Sequence, residues 1–223
     1  MTAPITPEAG GAHEHSEIAG RIVAVARHLV GQGLSPGSSG NISARIGDRI
    51  LLTPTGSALS RVEASDLAVI DLDGRPLAGG APSKEWPLHI AAYRADPGIG
   101  GVVHLHAAAS TAIACLPPDA AGLAALPTYT PYRVMSLGDV PLLPYADPGS
   151  PDLAAPVAAA IQGGARVMLM AHHGSLCCGE SVERAADRAE ELEAGARLAI
   201  DLRSSEAAEL DGATVARLRA RRP

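Results

Sequence analysis

The stretch Gly100–His106, GGVVHLH, decides how this chain folds. Its two valines and its alternating histidines predict a strand whose middle is buried. Residues 85–95 before it predict a helix, in whose first turn Pro87 is tolerated. The small residues after it, through Ala114, predict a second helix. A strand between two helices indicates an α/β fold.

The rest of the chain extends this pattern in both directions. Ser16 is a suitable N-cap for a helix whose apolar residues recur every three to four positions through Leu29, and Gly31 and Gly33 are its natural end. Residues 1–15 predict a flexible tail, and residues 16–223 a single domain. Residues 116–151 are rich in proline and glycine and predict loops. Further strands are predicted over 49–53, 67–72 and 167–171, and further helices over 152–161 and 181–203.

Composition excludes several classes of function. Of 223 residues, 47% are hydrophobic and 19% are charged, so the chain can bury a core and is not a disordered polyelectrolyte. The net charge of −6 and the 2% aromatic content argue against nucleic-acid binding. Three cysteines indicate buried thiols in a reducing compartment rather than a disulfide framework. With no signal peptide and no apolar run long enough to span a membrane, we expect a cytoplasmic protein with no membrane partner.

The most specific chemical signal is the pair His104 and His106. Alternate side chains of a strand point to the same face, so both imidazoles would emerge together at its C-terminal end. Two histidines at this spacing can bind one metal ion from a rigid element. A packed structural histidine is the alternative for either residue.

A third ligand is expected from His172-His173-Gly174, which ends the strand predicted over 167–171. Three histidines leave one position of a catalytic zinc site open for substrate. His28 is expected at a helix surface. His89, one helical turn after Glu85, could orient that carboxylate.

Polar loops supply a candidate acid or base and a phosphate site. Pro82-Ser83-Lys84-Glu85-Trp86 places a carboxylate, a hydroxyl and a cation at a helix start, where free N–H groups favour anions. The structural alternative is that Ser83 caps the helix and Lys84 is merely solvated. The turns Gly40–Ser43 and Thr53–Gly56 are also suited to presenting amides and hydroxyls to a phosphate.

In this order, the motifs GNIS, TPTG, PSKEW–LH, VVHLH and HHG resemble the class II aldolase family, which includes L-fuculose-1-phosphate aldolase and L-ribulose-5-phosphate 4-epimerase. The resemblance covers about Ala19 to Leu202. It implies a three-layer α/β/α sandwich around a central, largely antiparallel sheet. It further implies a Zn²⁺ site, with Co²⁺ or Mn²⁺ as alternatives, and a phosphate site. The implied metal ligands are His104, His106 and His173, and the implied phosphate-binding residues are Asn41, Thr55, Gly56, Ser83 and Lys84.

The activity that the resemblance implies is retro-aldol cleavage of a ketose 1-phosphate, either L-fuculose 1-phosphate or a 5-deoxypentulose 1-phosphate. The products would be dihydroxyacetone phosphate and a small aldehyde such as lactaldehyde. Glu85 would move the proton at carbon, a task for which we expect its pKa to be raised by burial. Tyr132, with Tyr129 as the second candidate, would donate a proton from a neighbouring subunit. A homo-oligomer, a tetramer with shared active sites, is therefore expected.

Three alternatives stay open. The pair Ser83-Lys84, where the aldolases carry two serines, and the stretch Thr130–Met135 resemble 3-oxo-tetronate 4-phosphate decarboxylases. A pentulose-phosphate 4-epimerase is disfavoured because that branch carries aspartate at the position of Glu85. The remaining alternative is a metal-binding domain without catalysis.

Overall fold

One sheet of eight strands organises the chain in a computed structural model, which describes residues 9–221. The strand order is β4-β3-β2-β1-β5-β8-β7-β6, and every neighbouring pair is antiparallel except β6 and β7. The predicted strand of GGVVHLH therefore lies at the centre of the sheet. The strands are β1 (Asn41–Ile46), β2 (Arg49–Leu52), β3 (Ala68–Asp71), β4 (Pro76–Ala78), β5 (Gly101–Leu105), β6 (Leu142–Leu143), β7 (Val167–Met170) and β8 (Gly174–Gly179).

Helices cover both faces of the sheet. The core on one face contains side chains of α1, α3 and α5, and the core on the other contains side chains of α2 and α4. The α/β fold and its three-layer arrangement around a largely antiparallel sheet are thus confirmed. The helices are α1 (Ala9–Gly31), α2 (Trp86–Ala95), α3 (Ala108–Ala114), α4 (Ala154–Gln162), α5 (Val182–Leu202) and α6 (Gly212–Arg219). Within residues 9–221, none of them is long and apolar enough to cross a membrane.

Helix α1 ends where its sequence predicts and begins earlier. Gly33 adopts a positive φ of 76°, and Leu34 N–H donates to the Leu29 carbonyl, which together form a glycine cap. The helix starts at Ala9, so residues 9–15 are helical where the sequence predicted a tail. Ser16 is therefore an internal helix residue and not the N-cap. Residues 1–8 of the predicted tail lie outside the described part of the chain.

Several short elements escaped prediction. Strand β8, with the sequence GSLCCG, lacks β-branched residues, yet all six of its residues are buried between β5 and β7. Its place in the sheet comes from these two neighbours and not from its own propensity. Strand β6 and a π-helical turn at Arg133–Leu137 lie inside the predicted loops, and α6 follows the last predicted helix.

Helix α5 fixes the elements on both sides of the two central histidines. A Cβ atom added at Gly101, the first residue of β5, would lie 2.3 Å from the Val182 backbone nitrogen, so glycine permits this close approach. Further along α5, the Glu193 carboxylate accepts hydrogen bonds of 2.8 Å from the Ala109 and Ser110 amides at the start of α3. The segment between Gly101 and Ser110 is consequently held at both ends by one helix.

Candidate metal centre and active site

Three histidines and one glutamate converge at one edge of the sheet. Their ligand atoms all lie within 4.8 Å of one another. His104 and His106 come from the end of β5, Glu85 directly precedes α2, and His173 lies in the turn between β7 and β8. Antiparallel pairing brings the end of β5 beside the starts of β1 and β8, with Asn41 opposite His104. The sequence prediction named the same four residues.

His104 is fully buried and its tautomer is fixed by the sheet. Its Nδ1 atom lies 2.7 Å from the carbonyl oxygen of Ser175 on β8. A carbonyl oxygen can only accept, so Nδ1 carries a proton and Nε2 is the ring nitrogen that is directed at the cluster. Nε2 lies 2.9 Å from His106 Nε2 and 3.1 Å from Glu85 Oε2.

His173 reaches the cluster because the β7–β8 connection is tight. His173 N–H donates to the Met170 carbonyl, and His172 adopts a positive φ of 57°. A Cβ atom at Gly174 would lie 2.3 Å from the Leu105 carbonyl oxygen, which is the close backbone approach expected at this glycine. His172 lies outside the cluster, and its ring packs near that of Tyr145 with centroids 6.4 Å apart.

The donor atoms of the cluster fit a divalent cation. Among the described residues, Glu85 Oε1 and both ring nitrogens of His173 are buried without a hydrogen-bond partner, although His173 Nε2 is only 3.1 Å from Glu85 Oε1. Buried polar atoms without partners are costly, and lone pairs that face one another repel. A cation bound by imidazole nitrogens and a carboxylate satisfies these atoms together, and the His104–carbonyl contact is the usual support for a metal-binding histidine.

The charge state of the cluster differs from the sequence-based expectation. Burial opposes ionisation of Glu85, but the adjacent imidazoles of His104 and His173 outweigh it and hold the pKa of Glu85 well below its usual range. The expectation that this pKa is raised is therefore wrong, because the two imidazoles lower the pKa by more than burial raises it. Burial, reinforced by the neighbouring His104 and His173, lowers the pKa of His106 to about 4. The neutral imidazole of His106 and the ionised carboxylate of Glu85 at neutral pH are the forms of these side chains that bind a metal ion.

The three loops predicted to bind phosphate meet beside this cluster. Thr53 links them, since its hydroxyl accepts from Ile42 N–H at 3.1 Å and its carbonyl accepts from Ser83 N–H at 3.1 Å. Thr55 and Gly56 are exposed, as is Lys84. Ser83 is buried, and its hydroxyl accepts from the Glu85 amide at 3.3 Å in the turn before α2. The N-cap of α2 is Glu85, so the alternative that Ser83 caps this helix is wrong.

Asn41 is placed differently from a simple phosphate ligand. Its Nδ2 atom donates to Glu85 Oε2 at 2.7 Å, and its Oδ1 atom lies 2.5 Å from His89 Nε2. One N–H of the amide is left for a ligand. The carboxamide therefore acts first as a support for Glu85.

Tyr132 lies away from the histidines of its own chain. It is 70% exposed and lines a cavity of about 540 Å³ together with Glu180 and Arg188. Glu180 follows the last residue of β8 and His173 precedes its first, so a strand roughly 20 Å long separates the two places. Tyr129 is half-buried in the preceding loop. The structure therefore places Tyr132 away from His173, and so from the cluster, within one chain.

Sequence reasoning missed two buried hydroxyls close to this site. Ser43 Oγ lies 2.7 Å from His89 Nδ1 and 2.8 Å from the hydroxyl of Tyr93. The signal was present in the spacing, because Glu85, His89 and Tyr93 recur every four residues and so share one face of α2. His89 acts on Glu85 through Asn41 and does not hydrogen-bond it directly. Burial lowers the pKa of His89 to about 3, so its ring is neutral.

Several known proteins are similar to this chain in sequence or in structure. A 3-oxo-tetronate 4-phosphate decarboxylase from Haemophilus influenzae is 39% identical over 178 residues, covering 79% of this chain and 84% of that protein. The L-fuculose phosphate aldolase of Escherichia coli is 33% identical over 187 residues, covering 83% of both chains. The crystal structure of YgbL from Klebsiella pneumoniae, described as a putative aldolase/epimerase/decarboxylase, superposes with a TM-score of 0.87 at 35% identity. It covers 92% of this chain and 99% of that one.

A match to the model of a protein family identifies the family of this chain. The model described as Class II Aldolase and Adducin N-terminal domain covers residues 20–200, which include every member of the histidine–glutamate cluster. The resemblance expected from the sequence motifs is thereby confirmed, and the chain belongs to the class II aldolase family.

Proposed function

We propose that this protein is a metal-dependent lyase that decarboxylates a phosphorylated 3-oxo acid of the 3-oxo-tetronate 4-phosphate type. The observation that carries the proposal is the cluster of His104, His106, His173 and Glu85 beside the loops of Thr55 and Ser83. The higher identity to the decarboxylase than to the fuculose phosphate aldolase supports this substrate over the ketose phosphate expected first.

Each part of the cleft has a role in this proposal. Thr55, Gly56, Ser83 and Lys84, together with the free N–H of Asn41, bind the phosphate through hydroxyls, amides and one cation. The three histidines hold the metal ion, for which Zn²⁺ fits imidazole ligands best and Co²⁺ or Mn²⁺ are substitutes. When bound, such an ion supplies a Lewis acid that polarises a carbonyl oxygen.

The bond changes balance without any further reactant. The C1–C2 bond of the 3-oxo acid breaks and C1 leaves as carbon dioxide. The electron pair stays on C2 as the enediolate of dihydroxyacetone phosphate, and a proton derived from water is added to C2. Glu85, the carboxylate nearest the histidines, passes that proton to carbon.

Aldol cleavage is the second candidate, and it shares most of this chemistry. Retro-aldol cleavage of L-fuculose 1-phosphate or a 5-deoxypentulose 1-phosphate leaves the same enediolate but releases an aldehyde in place of carbon dioxide. It needs a group that takes the proton from the hydroxyl of the departing half. Tyr132 can fill that role only from a second copy of the chain, because it lies at the other end of β8 from His173.

The proposal includes an oligomeric state and a cellular compartment. A homo-oligomer, a tetramer in our proposal, would bring exposed Tyr132 to a neighbouring cleft. Cys115, Cys177 and Cys178 are all free thiols, which supports a reducing compartment such as the cytoplasm.

The test is to supply both substrates to metal-loaded protein and to measure dihydroxyacetone phosphate and carbon dioxide in parallel. Equal amounts of the two products from 3-oxo-tetronate 4-phosphate would support decarboxylation. Dihydroxyacetone phosphate without carbon dioxide, released from L-fuculose 1-phosphate alone, would support the aldolase. Chelator should abolish either reaction, and release of neither product would refute both candidates.

A further inference from the structure

A line of buried polar side chains runs from the interior of the protein to Glu85. The hydroxyl of Tyr93 contacts Ser43 Oγ at 2.8 Å, and Ser43 Oγ contacts His89 Nδ1 at 2.7 Å. His89 Nε2 contacts Asn41 Oδ1 at 2.5 Å, and Asn41 Nδ2 donates to Glu85 Oε2 at 2.7 Å. All five side chains are at most 4% exposed.

Simple chemistry fixes the direction of every bond in this line. The Nδ2 atom of Asn41, which can only donate, faces Glu85, and its Oδ1 atom faces His89. Oδ1 can only accept, so His89 Nε2 carries the ring proton. The Nδ1 atom of the neutral ring then accepts from Ser43, which leaves the Ser43 oxygen to accept from Tyr93. Burial raises the pKa of Tyr93, so its hydroxyl stays protonated and can donate.

We propose that this series of hydrogen bonds positions Glu85. Ser43 holds His89 in the Nε2–H tautomer, and His89 orients the carboxylate through Asn41. The proposal rests on the role of Glu85 in the proposed function. Ser43, His89 and Tyr93 are positioning residues, because none of them belongs to the histidine–glutamate cluster. Asn41 positions Glu85 through one N–H and offers the other to the phosphate.

The arrangement of the elements explains why these residues can form a chain. Asn41 and Ser43 are alternate residues of β1, so they share the face of the sheet that α2 covers. Glu85, His89 and Tyr93 follow one another by single helical turns along the facing side of α2. Two regular elements therefore set all four contacts. Burying five polar groups is costly unless each is satisfied, which makes the orientation of Glu85 strongly defined.

Loss of one hydrogen bond in this series is expected to change the next ones. Without the Ser43 hydroxyl, His89 is free to carry its proton on Nδ1. Its Nε2 lone pair would then face Asn41 Oδ1 and favour rotation of the amide. The rotated amide would present its oxygen to the Glu85 carboxylate, and the two would repel.

The first test needs neither a variant nor a substrate. Nitrogen-15 NMR of histidine-labelled, zinc-loaded protein reports the tautomer of His89, assigned through its backbone resonances. We expect a neutral Nε2–H ring that does not change between about pH 6 and 9, since its contacts exclude a second proton. A neutral Nδ1–H ring, or a ring that titrates in this range, would overturn the proposal. This outcome is independent of which substrate the enzyme cleaves.

The second test compares Ser43→Ala with Ser110→Ala. Both serines are buried, but the Ser110 hydroxyl donates only to the Ala107 carbonyl and is remote from the chain. For Ser43→Ala we expect a shift of His89 toward the Nδ1–H tautomer and a fall in kcat of about ten-fold, with bound metal unchanged. Ser110→Ala should leave the tautomer and kcat as they are. An Nε2–H ring of His89 together with full kcat in folded Ser43→Ala would refute the proposal that these hydrogen bonds position Glu85. An inactive wild-type protein in which His89 has the expected tautomer would refute only the proposed function.

Discussion

The Nδ1 atom of His104 lies 2.7 Å from the backbone carbonyl oxygen of Ser175, across the pair of strands β5 and β8. This contact comes from the sheet itself, because Ser175 is opposite Leu105 in the ladder and therefore adjacent to His104. It fixes the histidine proton on the side away from the cluster. The other ring nitrogen, Nε2, is directed at the position where His106 and Glu85 also meet.

We therefore expect His104→Ala to lose bound metal and activity together. The substitution removes a fully buried ligand atom whose orientation is already set, so the remaining ligands bind the ion at least about ten-fold more weakly. Metal analysis after gel filtration measures this loss. His28→Ala is the matched control, because His28 is exposed and pairs with Glu190 on the protein surface. Full metal content in His104→Ala would contradict the site.

Glu85→Gln should separate metal binding from turnover. Three histidines remain to hold the ion, but glutamine cannot pass a proton, so kcat should fall by about 10²- to 10⁴-fold. Metal content and kcat, measured on the same preparation, test both halves of this expectation. Turnover at the wild-type rate would show that the proton comes from another group. Loss of metal would show that Glu85 serves mainly as a ligand.

The central part of the fold could be predicted because local sequence and tertiary structure agree there. The pattern of GGVVHLH predicts a strand, and β5 covers Gly101–Leu105 within it. The helix predicted from residue 85 is also present and begins at Trp86. Strand β8 could not be predicted, because its glycines and cysteines carry no strand signal and only its two neighbours define it. The same holds for β6, which pairs through two residues.

The ligand residues could be predicted for a similar reason, whereas the charge state and the supporting residues could not. In an extended backbone, the H-x-H spacing places His104 and His106 on one face, so a local pattern is enough to pair them. The pKa of Glu85 depends on whether burial or the neighbouring imidazoles dominate, and that balance is a property of the assembled site. The role of Ser43 depends on β1 lying against α2, which no local pattern reveals.

The three cysteines should differ in reactivity. Cys115 is exposed, whereas Cys177 and Cys178 are fully buried on β8. Burial raises the pKa of Cys178 to about 12 and that of Cys177 further, so neither forms the reactive thiolate near neutral pH. A thiol reagent should therefore label one cysteine in the native protein and three after denaturation. Cys115→Ser should abolish native labelling, and rapid labelling of a second thiol would show that β8 opens readily.

The ion pair between Arg21 of α1 and Glu183 of α5 should make a small, pH-dependent contribution to stability. The hydrogen bond from Arg21 lowers the pKa of Glu183 from 4.5 to about 2. Because the folded-state pKa is the lower one, the pair stabilises fully above the unfolded value of 4.5 and loses its effect as pH falls toward 2.

Both side chains are more than 40% exposed, so water screens the pair and we expect only about 0.5 kcal/mol. Urea unfolding of wild type and Glu183→Gln should show this difference in the free energy of unfolding at pH 7 and a smaller one at pH 3. Glu206→Gln removes an exposed carboxylate that forms no ion pair within residues 9–221, and it should change stability at neither pH. A difference for Glu183→Gln that grows on acidification would mean that Glu183 is held more strongly as the neutral acid than as the carboxylate.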